Sequence, residues 1–86
     1  MKDYWNYPHD KKKSVPYFAV EFSDDNEIWT EDQAFVLLED ADALLSRTIN
    51  EIKAGKWQEL VGVRIYDTFD NEVVAIASKD DNWSLR

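Results

Sequence analysis

The stretch that decides the fold is residues 40–55, DADALLSRTINEIKAG. Its buried-type side chains recur at the i, i+3, i+4, i+7 spacing of one helix face: Ala41, Leu44, Leu45, Thr48, Ile49 and Ile52. Asp40 is a suitable N-cap, and Gly55 suits the left-handed position that ends many helices. The pattern predicts one amphipathic helix over about residues 40–54, with an apolar face that must pack against another layer.

Downstream of this helix the sequence indicates a β-hairpin. Leu60–Tyr66 and Glu72–Ala77 both alternate at period two, and residues 68–71, Thr-Phe-Asp-Asn, supply a turn. The second strand is apolar on both faces, which favours a place inside the sheet over an edge. Residues 79–86 are polar and are expected to fray unless Trp83 holds them.

Upstream of the helix, Val15–Phe22 is predicted as the first strand. Its aromatic and β-branched residues alternate, so that Phe18, Val20 and Phe22 share one face. The polar residues 23–26, Ser-Asp-Asp-Asn, turn the chain, and Glu27–Thr30 is predicted as a short returning strand.

Residues 31–39 are ambiguous because a four-residue apolar run, residues 35–38, fits either element. As a strand, the segment would end at Glu39 and lead into the helix. As a helix, it would begin with a capping box of Thr30 and Gln33. The strand interpretation is slightly favoured.

Together these elements predict a two-layer α+β fold, in which an antiparallel sheet of three to four strands carries the helix on one face. Residues 15–86 form this single domain. Residues 1–14 are predicted to be an N-terminal tail, and its aromatic residues Tyr4, Trp5 and Tyr7 are expected to pack back onto the domain.

Composition excludes several classes of function. A chain of 86 residues is about one domain, and the absence of cysteine excludes disulfides and thiolate metal sites. With one histidine, His9, and no glycine-rich loop, we expect no enzyme, no cofactor and no metal site. The turn at Asp24 and Asp25 lacks the glycine and distant glutamate of a calcium loop. No signal peptide or membrane span is evident, so a cytoplasmic protein is expected.

Two further features of the sequence bear on binding. Arg64 and Tyr66 share a strand face with Gly62, a pattern more typical of a solvated face than of a binding patch. Trp57 follows the helix stop, where it is expected to plug the helix–sheet junction.

The charge distribution is the strongest functional signal. The chain has 18 acidic and 10 basic residues, a formal net charge of -8, yet residues 14–46 hold nine acids and no base. Such acids serve solubility and local capping, and they also steer a cationic partner. The second interpretation names a candidate partner-binding set with Trp29 as its aromatic anchor: Glu21, Asp24, Asp25, Glu27, Trp29, Glu31 and Asp32.

The expected function is that of a non-enzymatic acidic protein that inhibits a larger partner by occluding its basic, nucleic-acid-binding surface. In size and composition, though not in motif, the chain resembles small inhibitors such as phage-encoded blockers of host defence and immunity partners of toxins. No direct nucleic-acid or membrane binding is expected, since the net charge is negative. The alternative is an assembly module, a homodimer formed through a strand edge or the aromatic tail.

Overall fold

The computed structural model describes residues 17–86. The elements in chain order are β1 (Phe18–Ser23), β2 (Thr30–Phe35), α1 (Leu38–Lys53), β3 (Gly62–Asp67) and β4 (Glu72–Ser78), followed by a short 3-10 turn, Lys79–Asp81. The four strands form one antiparallel sheet in the order β2-β1-β3-β4, and α1 packs against one face. The predicted two-layer α+β fold is confirmed, with four strands. The predicted tail, residues 1–14, lies outside the described residues.

The helix has the predicted apolar face. Its buried residues are Ala41, Leu44, Leu45, Thr48, Ile49 and Ile52. The one buried hydroxyl among them is satisfied, because Thr48 Oγ1 donates to the Leu44 carbonyl at 2.9 Å. Opposite this stripe, Val20, Val63, Ile65 and Ala77 complete the core. The helix contacts β1, β2 and β3, so its apolar stripe faces the sheet as the periodicity predicted.

The beginning of the helix differs from the prediction. The N-cap is Leu37, which has no side chain able to cap, and Asp40 lies in the first turn with its amide already donating to the Leu37 carbonyl. The prediction of Asp40 as N-cap was therefore wrong, although an acid there still complements the helix dipole. The end is as predicted, since Gly55 adopts φ +106 directly after the cap residue Ala54.

The segment before the helix is a strand, as favoured, but with different ends. β2 covers Thr30–Phe35, so it stops four residues before the predicted end at Glu39. The apolar run is divided, because Phe35 packs on the core whereas Leu37 and Leu38 are exposed. The predicted short strand Glu27–Thr30 was wrong, since the chain is still bending up to Ile28.

The position of β4 also differs from the prediction. β4 is an edge strand, and its apolar residues Val73 and Val74 are exposed. The final residues do not fray: the Arg86 amide donates to the Ile76 carbonyl at 2.8 Å, and the Ile76 amide donates back at 3.2 Å. Trp83 packs on the core as expected. The C-terminus thus covers part of an otherwise open sheet edge, which protects it from pairing with other chains.

The β3–β4 turn forms where it was predicted. Asp67 Oδ1 accepts hydrogen bonds from the amides of Phe69 and Asp70 at 2.9 and 3.0 Å, and Asn71 adopts φ 56. Within residues 17–86 no helix has the length and apolar character needed to cross a lipid bilayer.

Candidate functional site

The loop between β1 and β2 is held by one serine and one aspartate. Ser23, at the end of β1, is buried, and its Oγ accepts hydrogen bonds from the amides of Asp25 and Asn26 while donating to Asp25 Oδ1 at 3.0 Å. Asp25 Oδ1 in turn accepts from the amides of Glu27 and Ile28 at 2.8 and 2.9 Å. The Ser23 and Asp25 side chains therefore satisfy the backbone donors of residues 25–28.

These hydrogen bonds lower the pKa of Asp25 below its ordinary value of 3.8. The largest contribution comes from the Ile28 amide, followed by those of the Glu27 amide and the Ser23 hydroxyl. Each donor stabilises the ionised carboxylate over the protonated acid. Asp25, one of the seven candidate binding residues, is thus occupied as a scaffold for the loop.

The loop folds over the sheet face that α1 does not cover. Trp29 lies over Arg64, whose guanidinium carbon is 4.3 Å from the centroid of the Trp29 ring and 4.9 Å from that of Tyr66. Arg64 Nε also bonds Glu21 Oε1 at 2.7 Å, and both side chains are mostly buried. Cation–π contact and a charged hydrogen bond together lock this stack.

Consequently two more candidate binding residues are engaged within the protein. Glu21 neutralises Arg64, and Trp29 is half-buried against it. Gly62 permits this packing, because a Cβ at that position would meet the tip of the Trp29 ring at 2.8 Å. Arg64, Tyr66 and Gly62 share a sheet face as predicted, but that face is closed by the loop and is not simply solvated.

The remaining four candidates lie together along one edge of the molecule. Asp24 and Glu27 are exposed in the loop, and Glu31 and Asp32 are exposed on β2, which is an edge strand. The register shifts between Val20 and Glu21, so the β2 strand bulges at this point and twists away from regular pairing. We call Asp24, Glu27, Glu31 and Asp32 the acidic edge.

None of the acidic-edge carboxylates is neutralised by an ion pair within the described residues. The ion pairs of residues 17–86 are Arg64–Glu21 and Arg86–Asp81. The four carboxylates are thus exposed without a compensating base among residues 17–86.

The sequence interpretation missed an apolar residue at this edge. Ile28 is 71% exposed, the most exposed of the large hydrophobic residues described. The sequence analysis assigned Ile28 to a strand that does not form. Its position among acidic turn residues was the signal in the sequence that its side chain would be exposed. Exposed apolar side chains ringed by charge are frequent anchors of protein interfaces.

A groove runs from this loop to the second half of α1. It consists of two adjoining hollows of about 610 and about 450 Å³ that share the lining residues Phe22, Glu59 and Leu60. Trp57 borders the larger hollow and is 49% exposed, with its Nε1 donating to Glu51 Oε1 at 2.8 Å. Trp57 also lines a small hollow at the helix–sheet junction with Ile52, Leu60 and Trp83, and with nearly half of its surface exposed it does not plug that junction as predicted.

One cluster of carboxylates has the spacing to meet a cation. Asp67, Asp70 and Glu72 place one oxygen each within 4.8 Å of one another. Asp67 Oδ1 already accepts two turn amides, and three ligands fall short of the six to eight oxygens that calcium takes. Asp67 stabilises the turn through these two hydrogen bonds, and we assign no metal to the cluster.

Comparison of the chain with protein-family models, with curated proteins and with solved structures finds no match. The fold and the surface therefore define the class: a small two-layer α+β domain with an acidic edge beside an apolar groove.

Proposed function

We propose that this protein is a non-catalytic binding module that docks its acidic edge onto the basic surface of a larger protein and thereby blocks that surface. Basic protein surfaces commonly serve nucleic-acid binding, so the blocked activity is expected to be of that kind. A phage inhibitor of host defence and an immunity protein against a toxin are two settings that fit such a module.

The observation that carries the proposal is the unpaired acidic edge itself. Four exposed carboxylates lie on one loop and one edge strand, and no ion pair of the described residues involves them. Fields of this kind accelerate encounter with a cationic partner and weaken as salt rises, because the Debye length falls to about 8 Å at physiological ionic strength.

The test compares two variants with the same change of charge. Asp24, Glu27 and Glu31 become Lys in the first; Asp70, Glu72 and Asp80, exposed on the opposite edge, become Lys in the control. Asp25 is left unchanged, because a lysine there would remove the acceptor that holds the loop. Each protein is immobilised and used to capture partners from a lysate of the source organism at low and high salt.

We expect to capture a basic protein that binds both the wild type and the control variant. It should not bind the acidic-edge variant, and it should elute from the wild type as the salt concentration rises. Purified, that protein should lose nucleic-acid binding on addition of the wild type. Equal capture by both variants would show that the acidic edge serves solubility alone.

One observation favours a second candidate, a homodimer formed through β4. Val73 and Val74 are exposed on this edge strand at 43% and 39%. The C-terminus covers Ile76, so pairing between two copies would involve the end of β4 that follows the β3–β4 turn. Sedimentation analysis over a hundredfold range of protein concentration distinguishes the two candidates. A mass that rises with concentration in the wild type, and is lower in a Val73→Lys variant, supports the dimer.

A further inference from the structure

The groove beside the acidic edge has an apolar floor, which gains nothing from contact with a polar or purely ionic ligand. Phe22 and Leu60 line both hollows and are only half-buried, and Leu44 of α1 lies at the base of the larger one. Ile28 and Trp57 stand at its two ends with 71% and 49% of their surface exposed. Removal of such aliphatic and aromatic surface from water favours binding, so the floor can contribute to the affinity for an apolar ligand.

The charged residues that line the groove are mainly acidic. Asp24 and Asp25 border the smaller hollow, Asp32 and Glu51 border the larger one, and Glu59 borders both. Arg47 is the one base among these lining residues, and it belongs to neither ion pair of the described chain. A ligand that complements this groove therefore carries positive charge for the acidic residues and, next to it, an apolar group for the floor.

From this geometry we infer that the groove receives a cationic segment of the partner protein, in which large apolar side chains are interspersed with lysine or arginine. The apolar side chains lie on Phe22 and Leu60 between Ile28 and Trp57, and the cations meet Asp32 and Glu59. Two adjoining hollows match successive side chains of one peptide segment better than a single small molecule. This inference rests on the proposed function, for which it specifies the contact.

The direct test titrates two peptides into the ¹⁵N-labelled full-length protein. The first is an acetylated and amidated peptide of three Lys-Leu-Leu-Lys units, and the second has Gln in place of every Leu. We expect amide shifts concentrated at Ile28 and at residues 57–60, a shift of the Trp57 indole, and at least tenfold weaker binding of the Gln peptide.

Matched variants separate the groove from the rest of the surface. Ile28→Ser is expected to weaken the Leu peptide about tenfold, whereas Val73→Ser, at an exposed apolar residue on β4, leaves it unchanged. Glu59→Lys is expected to weaken it about threefold more than Glu72→Lys does. Ile28 and Glu59 are exposed, so these variants should melt close to the wild type, which circular dichroism checks.

Each outcome decides the proposal. Equal binding of both peptides, or amide shifts outside the groove, would refute the proposal that the groove binds this segment. Such a result would leave the proposed charge-driven docking unaffected. The same conclusion follows if a captured partner depends on Asp24, Glu27 and Glu31 but is indifferent to Ile28→Ser. Groove shifts that grow with protein concentration, or contacts with residues 1–16 in the absence of peptide, would assign it to a second copy or to the chain's own N-terminus and refute a partner segment.

Discussion

Replacement of Gly62 by alanine tests whether the loop is held in place over the sheet face that α1 does not cover. A Cβ at this position would overlap with Asn26 Oδ1 and approach the tip of the Trp29 ring to 2.8 Å, where 3.4 Å is an ordinary contact. The Asn26 side chain can rotate away. The Trp29 ring is held against Arg64, which is bonded to Glu21, so the ring must move as part of the stack.

The expected cost follows from the size of that overlap. Added methyl groups in well-packed sites cost about 1–3 kcal/mol, and in a domain of this length each kcal/mol lowers the melting temperature by about 4–8 °C. We therefore expect Gly62→Ala to melt roughly 10 °C below the wild type. Thermal denaturation followed by circular dichroism measures the shift, and amide spectra of residues 24–28 report whether the loop has moved.

A double-mutant cycle identifies the cause. In a Trp29→Leu background the tip of the ring is gone, so Gly62→Ala should cost at least about 1 kcal/mol less than in the wild type. A Gly62→Ala protein that melts with the wild type, or a cycle without coupling, would refute the idea that this glycine is needed for the loop to pack.

Three other predictions concern separate parts of the fold. The pKa of Asp25 is lowered, so the stability that depends on its ionisation is fully present above pH 3.8 and is lost as the pH falls through the folded value. Urea denaturation should therefore show the advantage of the wild type over Asp25→Ala becoming smaller in that range. Arg64→Ala leaves Glu21 mostly buried without its partner and should cost about 3 kcal/mol in urea, part of which Arg64→Met with Glu21→Gln recovers. Deletion of residues 84–86 uncovers Ile76 on the edge strand and should raise the sedimenting mass relative to the full chain.

Elements with a strong local pattern were predictable. The stripe from Ala41 to Ile52 and the turn at residues 68–71 lie as expected, since helical periodicity and turn chemistry are encoded within a few residues. β2 was harder, because its residues TEDQAF do not alternate and its first four are exposed. As an edge strand, β2 needs no second apolar face. Its hydrogen-bonded pairing with β1 holds it in the sheet although its sequence has no strand-like alternation.

The candidate site shows the same division. The exposure of Asp24, Glu27, Glu31 and Asp32 follows from their acidity. The roles of Asp25 and Trp29 could not be derived, because they depend on which amides and which cation the folded loop brings within reach.

By itself, the sequence determined the two-layer α+β class, the helix, the β3–β4 hairpin and the concentration of acids in one third of the chain, all of which depend on residues close together along it. Only the tertiary structure decided the strand order, the edge position of β4, the closure of that edge by Arg86 and the exposure of Ile28 beside the groove. These features depend on contacts between residues far apart in the chain, which are selected by the total surface buried in the folded state and not by any local pattern.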